Sequence, residues 1–203
     1  MATLRNTEIV IGEGITEKYY FDSMRDVLKN KPKPISLKPY NLEELEKAIR
    51  EFAEQGYTKI HCLIDMDNKI DNGTKQIKYR ELKEKYHNKI ISRPKKGVKC
   101  EVCFYESHPS TEVFFYYYFE YSTAEKTNEA LKNWLNNKCG YEVKERFMEK
   151  HSLHGIFKKN GGCLKRAIEN SLLSVISREK SNYNFIYTEI GKLITELGIK
   201  EEV

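Results

Sequence analysis

Four short apolar runs separated by helical periodicity constrain the fold more than any other feature of this chain. Glu8 to Gly12 (EIVIG), Ile35 to Tyr40, Lys59 to Asp65 (KIHCLID) and Val98 to Glu106 read as strands. The first is β-branched with no polar alternation, as in a strand covered on both faces. Between the runs lie helix signals. Thr16 can cap a helix with Phe21, Met24 and Leu28 on its apolar face, and Pro32 and Pro34 close it. Asn41 opens a second helix with Leu45, Ile49, Phe52 and Ala53 on one face, stopped by Gly56. Asp71-Asn72-Gly73 reads as a turn before a basic helix over Ile77 to His87, and Thr111 to Tyr121 reads as a strongly apolar helix. Such βαβαβαβ alternation predicts an α/β fold: a Rossmann-like parallel sheet of about four strands with right-handed crossovers.

From Ser122 onward only helices are visible. Gly161 to Lys180 carries Leu164, Ile168, Leu172, Val175 and Ile176, and Tyr187 to Leu197 carries Ile190, Leu193, Ile194 and Leu197. The expected division is an α/β domain over residues 1–121 and a helical extension over 122–203 packed on it. No apolar run is long enough for a membrane span and the N-terminus lacks a signal-peptide pattern, so a cytoplasmic chain with no membrane partner is expected. Five scattered cysteines fit reduced thiols. Cys100-x-x-Cys103 with His151-x-x-His154 invites zinc, but the two cysteines, three apart on a strand, face opposite sides, and buried thiols are the better reading.

Charge is unevenly spread. The net charge is +5, yet Lys69 to Lys99 alone holds eleven basic residues against Asp71, Glu81 and Glu84. This run suggests a polyanion partner, with Lys69, Lys95, Lys96 and Lys99 as candidate nucleic-acid contacts; a solvated helix face is the plain alternative. A second basic group, Lys158, Lys159, Lys165 and Arg166, is equally well read as surface. The aromatic run Phe114 to Phe119 could stack unpaired bases, but core packing is the stronger reading.

Glu13 lies just past the first strand, and Asp65 and Asp67 at the end of the third. In doubly wound sheets these strands are often neighbours, with ligands at their carboxyl ends. Asp65 and Asp67, two apart, would point the same way if the strand continued. Three converging carboxylates call for a cation, and a hard ion with oxygen ligands, Mg²⁺ or Mn²⁺, suits them. Such an ion supports phosphodiester hydrolysis. Gly12 and Gly14 allow close backbone approach to a phosphate, while the chain has neither a third glycine for a dinucleotide fingerprint nor a P-loop. Glu17 reads as a first-turn helix acid, and His108 as a loop residue able to meet phosphate or act as an acid.

The runs IVIGEGITEKYYF (Ile9 to Phe21) and CLIDMDN (Cys62 to Asn68) resemble the two TOPRIM signatures, and the chain as a whole resembles the RloB family of TOPRIM-like proteins. The family's S-N-P-x-x-E element is here SHPSTE (Ser107 to Glu112), with His108 in place of asparagine. Tyr118 stands where a histidine is usual, and SNYNFIYTEIGKL (Ser181 to Leu193) is similar to the closing segment. The resemblance implies a metal-dependent nuclease acting on DNA or RNA, tRNA included, as an effector of bacterial anti-phage defence. It implies an ABC- or AAA-type ATPase partner, and a homo-oligomer is compatible with it. Glu13 would be the acid/base or metal-facing glutamate, Asp65 and Asp67 the metal carboxylates, and Glu17 and Glu112 secondary acids. Two other classes compete. One is a receiver-like phosphoacceptor, disfavoured by the single glutamate after the first strand. The other is a non-catalytic TOPRIM-like module that docks the ATPase.

Overall fold

A computed structural model describes residues 7–37, 41–70, 73–93, 97–180 and 185–200. The fold is α/β, with a mostly parallel mixed sheet and a C-terminal helical region. The first half runs β1 (Glu8–Gly12), α1 (Ile15–Ser23), β2 (Lys33–Ser36), α2 (Leu42–Glu54), β3 (Lys59–Asp65), α3 (Asp67–Ile70), α4 (Gly73–Tyr86), β4 (Lys89–Arg93) and β5 (Val98–His108). Then follow α5 (Glu112–Tyr117), α6 (Asn128–Cys139), α7 (Glu145–Lys150), α8 (Leu153–Lys159), α9 (Leu164–Lys180), β6 (Tyr187–Thr188) and α10 (Ile190–Leu197).

The sheet order is β2-β1-β3-β5-β4, with β6 added on β5. β1 pairs in parallel with β2 and β3, and β3 in parallel with β5. β4 departs from the expected all-parallel arrangement, running antiparallel to β5. Its cause is local. Asn88, at φ 56°, turns the chain directly out of α4, and the return to β5 passes through Gly97 at φ 67°. That connection is too short for the crossover a parallel pair needs. The last strand is the two-residue β6, antiparallel to the end of β5, from a stretch expected to be helical throughout.

Strand residues alternate between two cores, as in a sheet covered on both faces. Ile9, Ile11, Ile60, Cys62 and Ile64 pack with α2 and α4. Val10, Leu63 and Tyr105 pack with α1, α5 and the helices beyond Ser122, and this second cluster reaches from Val10 to Leu131, Phe157 and Leu197. Cys100 belongs to the first core and Cys103 to the second, so the pair does straddle the sheet. Burial pushes both thiols up, to about 12 and about 11. Phe114, Phe115, Tyr116, Tyr117 and Tyr118 are all buried, which makes α5 the hub of the second core rather than a stacking platform. Each such ring contributes on the order of 2 kcal/mol by burial.

α9 keeps its expected face in its first half, where Leu164 and Ile168 pack against the core, and departs from it in the second. Its buried face holds Ala167, Asn170, Ser171 and Ser174, while Leu172 and Ile176 are exposed. Close packing on α10 explains the choice. A Cβ on Gly191 would lie 2.6 Å from Ser171 Oγ, which donates to Thr188 O at 2.6 Å and accepts from Gly191 N–H at 3.0 Å. Asn170 Nδ2 donates to Tyr117 O at 3.1 Å. Small polar residues let the helix approach that backbone; leucines would hold it off. Among the described residues, no helix is long and apolar enough to cross a membrane.

Candidate functional site

Because β1 and β3 are parallel neighbours in register Ile11↔Cys62, their carboxyl ends adjoin. Glu13 Oε1 accepts the Asp65 N–H at 3.1 Å and the Lys69 ammonium at 2.7 Å. Lys69 Nζ also donates to the Asp65 carbonyl. Lys69 is only 5% exposed, so it neutralises the acidic cluster from inside instead of standing on a phosphate-binding surface. Its spacing explains this: one helical turn after Asp65, α3 folds its side chain back over the strand ends.

Asp65 Oδ1 accepts from the Thr111 N–H at 2.9 Å and from Thr111 Oγ1 at 3.2 Å. Burial, then the Glu17, Glu13 and Glu112 carboxylates, push the Asp65 carboxyl well above its usual range, with Lys69 pulling the other way. Glu17 is buried in the first turn of α1 and accepts the Gly14 N–H at 3.0 Å, a capping role beyond a dipole contact. Burial raises its carboxyl, backbone hydrogen bonds oppose this, and Glu112 raises it further. A Cβ on Gly12 would lie 2.5 Å from Glu17 Cβ, so that glycine makes room for the acid. Glu112 accepts from Ser110 Oγ at 2.7 Å and Tyr141 OH at 3.0 Å, with Lys132 3.8 Å away.

Asp67 does not point into this cluster in the expected strand-like way, because β3 ends at Asp65 and α3 starts at Asp67. Its Oδ2 accepts from Asn128 Nδ2, at the start of α6, at 2.8 Å. Asn128 Oδ1 is buried with no hydrogen-bond partner. Sequence reasoning missed Asn128, since nothing in a local pattern links positions sixty-one residues apart.

The other candidates disperse. The His108 ring packs against Tyr187, centroids 6.1 Å apart, where β5 meets β6. Lys99 sits at the amino end of β5, roughly 26 Å along the strand from Ser107, the register partner of Asp65. Lys95 and Lys96 lie outside the described residues. A crevice of about 510 Å³ is lined instead by Glu13, Asn41, Glu43, Lys69, Lys75 and Lys78. Tyr118, at the position of the usual histidine, hydrogen-bonds His154 Nδ1 at 3.0 Å and Tyr20 OH at 2.7 Å in the core.

A family model described as RloB-like protein matches residues 9–197. The chain belongs to the RloB-like family. No curated protein and no solved structure matches it. The divalent cation expected from the sequence would sit at this acidic edge, where Glu13 meets Asp65. The oxygen donors of this RloB-like chain fit one in type, crowded carboxylates and an orphaned amide oxygen at Asn128, while the Lys69 ammonium holds the place on Glu13 that an ion would take. Among the described residues, however, no three His, Cys, Asp or Glu side chains converge as a ready ligand set.

Proposed function

We propose that this RloB-like chain hydrolyses phosphodiester bonds in nucleic acid with Mg²⁺ or Mn²⁺ as cofactor. One observation carries the reading: Glu13 and Asp65 meet at the ends of adjacent parallel strands, beside a crevice walled by Lys69, Lys75 and Lys78. Glu13, Asp65 and Asp67 would hold the cation. A bound ion of this kind polarises the scissile phosphate and lowers the pKa of water. The chain's own groups do the rest. Lys75 and Lys78 bind backbone phosphates along the crevice. Glu13, facing that crevice, takes the proton of the attacking water. Thr111 fixes the orientation of Asp65 through two hydrogen bonds. By family resemblance, the cleavage serves bacterial anti-phage defence under the control of an ABC- or AAA-type ATPase partner.

The position of Lys69 favours a second reading. Its ammonium already satisfies Glu13, as it would in a non-catalytic module that only docks the ATPase. The deciding experiment incubates labelled tRNA and plasmid with the chain in Mg²⁺, Mn²⁺ or EDTA, with and without the ATPase. Metal-dependent cleavage that Asp65→Asn abolishes is expected. Cleavage undiminished in Asp65→Asn, or none under any condition, overturns the proposal. Charge reversal at Lys75 and Lys78 should lower the salt slope of binding by about 0.7–0.9 for each phosphate the chain no longer neutralises.

A further inference from the structure

The second half of α9 carries large apolar residues on its outer face, and that face has a pattern of its own. Leu172, Leu173 and Ile176 are 40%, 50% and 46% exposed, and Tyr121, 45% exposed, borders them through a 3.3 Å hydrogen bond to Ser177. Scattered exposed leucines are ordinary on a monomer, but three large apolar side chains on one stretch of helix facing away from the core are not. The inner face of the same helix is satisfied by Asn170, Ser171 and Ser174, and Leu172, Leu173 and Ile176 are not among the residues packed in this chain's core. Charges bracket the patch. Glu169 precedes it and Lys180 follows it on the same side of the helix, about 16 Å apart along the axis.

We infer that this face forms a twofold homodimer in which α9 packs antiparallel against α9 of a second copy. A twofold interface brings one patch onto itself, so it must be self-complementary. With the axis between Ser174 and Val175, Leu173 of each copy faces Ile176 of the other. Glu169 of each copy then faces Lys180 of the other, giving two ion pairs around an apolar centre. A parallel pairing would oppose Glu169 to Glu169 and Lys180 to Lys180. Sliding the axis two residues toward the N-terminus would set Lys165 against Lys180. Of these arrangements, only the antiparallel one centred at 174–175 matches both the apolar and the charged positions.

Sedimentation equilibrium on the full chain tests this, with circular dichroism confirming the fold of each variant. The wild type should be a dimer. Leu173→Glu should weaken association about a hundredfold or more, since it buries a charge at the axis. Glu169→Lys and Lys180→Glu alone should each weaken it about threefold to tenfold. The doubly swapped chain, Glu169→Lys with Lys180→Glu, should regain wild-type affinity. A wild type that stays monomeric at every concentration overturns the inference and leaves the face to a different protein. So does a double swap no tighter than either single change, or a dimer indifferent to Leu173→Glu.

Discussion

Two carboxylates lie almost side by side on neighbouring strands, and the protein treats them in opposite ways. Glu106 of β5 pairs in register with Ile64, one residue before Asp65 of β3. Glu106 accepts from Tyr79 OH at 2.7 Å, Arg178 Nη1 at 3.1 Å, Tyr187 OH at 3.2 Å and the Lys83 ammonium. Burial alone would raise its carboxyl, but Lys83, Tyr79 and Arg178 together bring it down to about 2. Asp65 receives two neutral donors from Thr111 and sits among three other carboxylates. The nearby ammonium of Lys69 is spent on Glu13 and on the Asp65 backbone. A carboxylate ringed by cations is a structural tie between α4, α9 and the sheet. A carboxylate left short of positive charge is the one that the cation of the proposed function would engage.

Breaking the tie should have the largest effect. Glu106→Gln leaves Lys83 and Arg178 facing a neutral amide, and should cost about 3 kcal/mol in urea melts; both cations reach water, which keeps the loss at the low end. Asp65→Asn in EDTA should be neutral or slightly stabilising, because it removes crowded charge and keeps an oxygen for Thr111. Equal losses from the two changes would erase the distinction. Their pH dependence differs in sign. Glu106, with its folded pKa lowered, contributes stability that is present above the ordinary carboxylate pKa of 4.5 and lost as pH falls toward about 2. Asp65 and Glu17, with raised values, contribute stability that is full below the ordinary range and lost as pH rises through their folded pKa. Melts across pH should therefore show Glu106→Gln flattening the acid limb, and Asp65→Asn flattening the decline on the other side.

Removing the internal cation sharpens the contrast further. Lys69→Met should destabilise the metal-free chain by about 2 kcal/mol, since Glu13 and Asp65 then repel without relief. Mn²⁺ should recover most of that loss, and raise the melting temperature of the variant more than that of the wild type. A variant and wild type shifted equally would mean that Lys69 and the cation do not share a site. No shift in either would remove the metal from the proposed function.

The strands and their terminal carboxylates are legible in the sequence because both depend on local pattern. EIVIG is followed at once by Glu13 and KIHCLID ends in Asp65, and parallel neighbours bring those ends together. Lys69 is hidden because a run of eleven basic residues averages over the one that α3 turns inward. β4 escapes notice because KIISR is short and lies in the same basic run, its direction set by one residue at Asn88. The apolar stripe of α9 is right only in its first half: Leu164 and Ile168 pack against the core, whereas Leu172 and Ile176 are exposed because the inward face there is set by Gly191 on a different helix. In each case the missing information is a tertiary contact, not a propensity.

The smallest predicted effect concerns Asn128, which ties Asp67 to the helical region. Its amide donates a single neutral hydrogen bond to Asp67, and α6 holds it there from the first helical position. Asn128→Ala should therefore cost only about 1 kcal/mol of stability. Its effect on the cation should be larger than its effect on the fold. The amide both aims the carboxylate and leaves Oδ1 buried beside it without a partner, so its loss should weaken Mn²⁺ binding about tenfold, as supporting hydrogen bonds to metal ligands commonly do. Asn128→Asp separates the two contributions: it keeps an oxygen where Oδ1 lies but replaces the donor with a second acceptor facing Asp67. If aiming Asp67 is what matters, calorimetric titration should find both variants weakened. If the spare oxygen is what matters, Asn128→Asp should bind as tightly as the wild type or tighter. Mn²⁺ affinity unchanged in both would detach Asp67 from the metal site, leaving Glu13 and Asp65 as its carboxylates and returning Asp67 to the structural side of the comparison with Glu106.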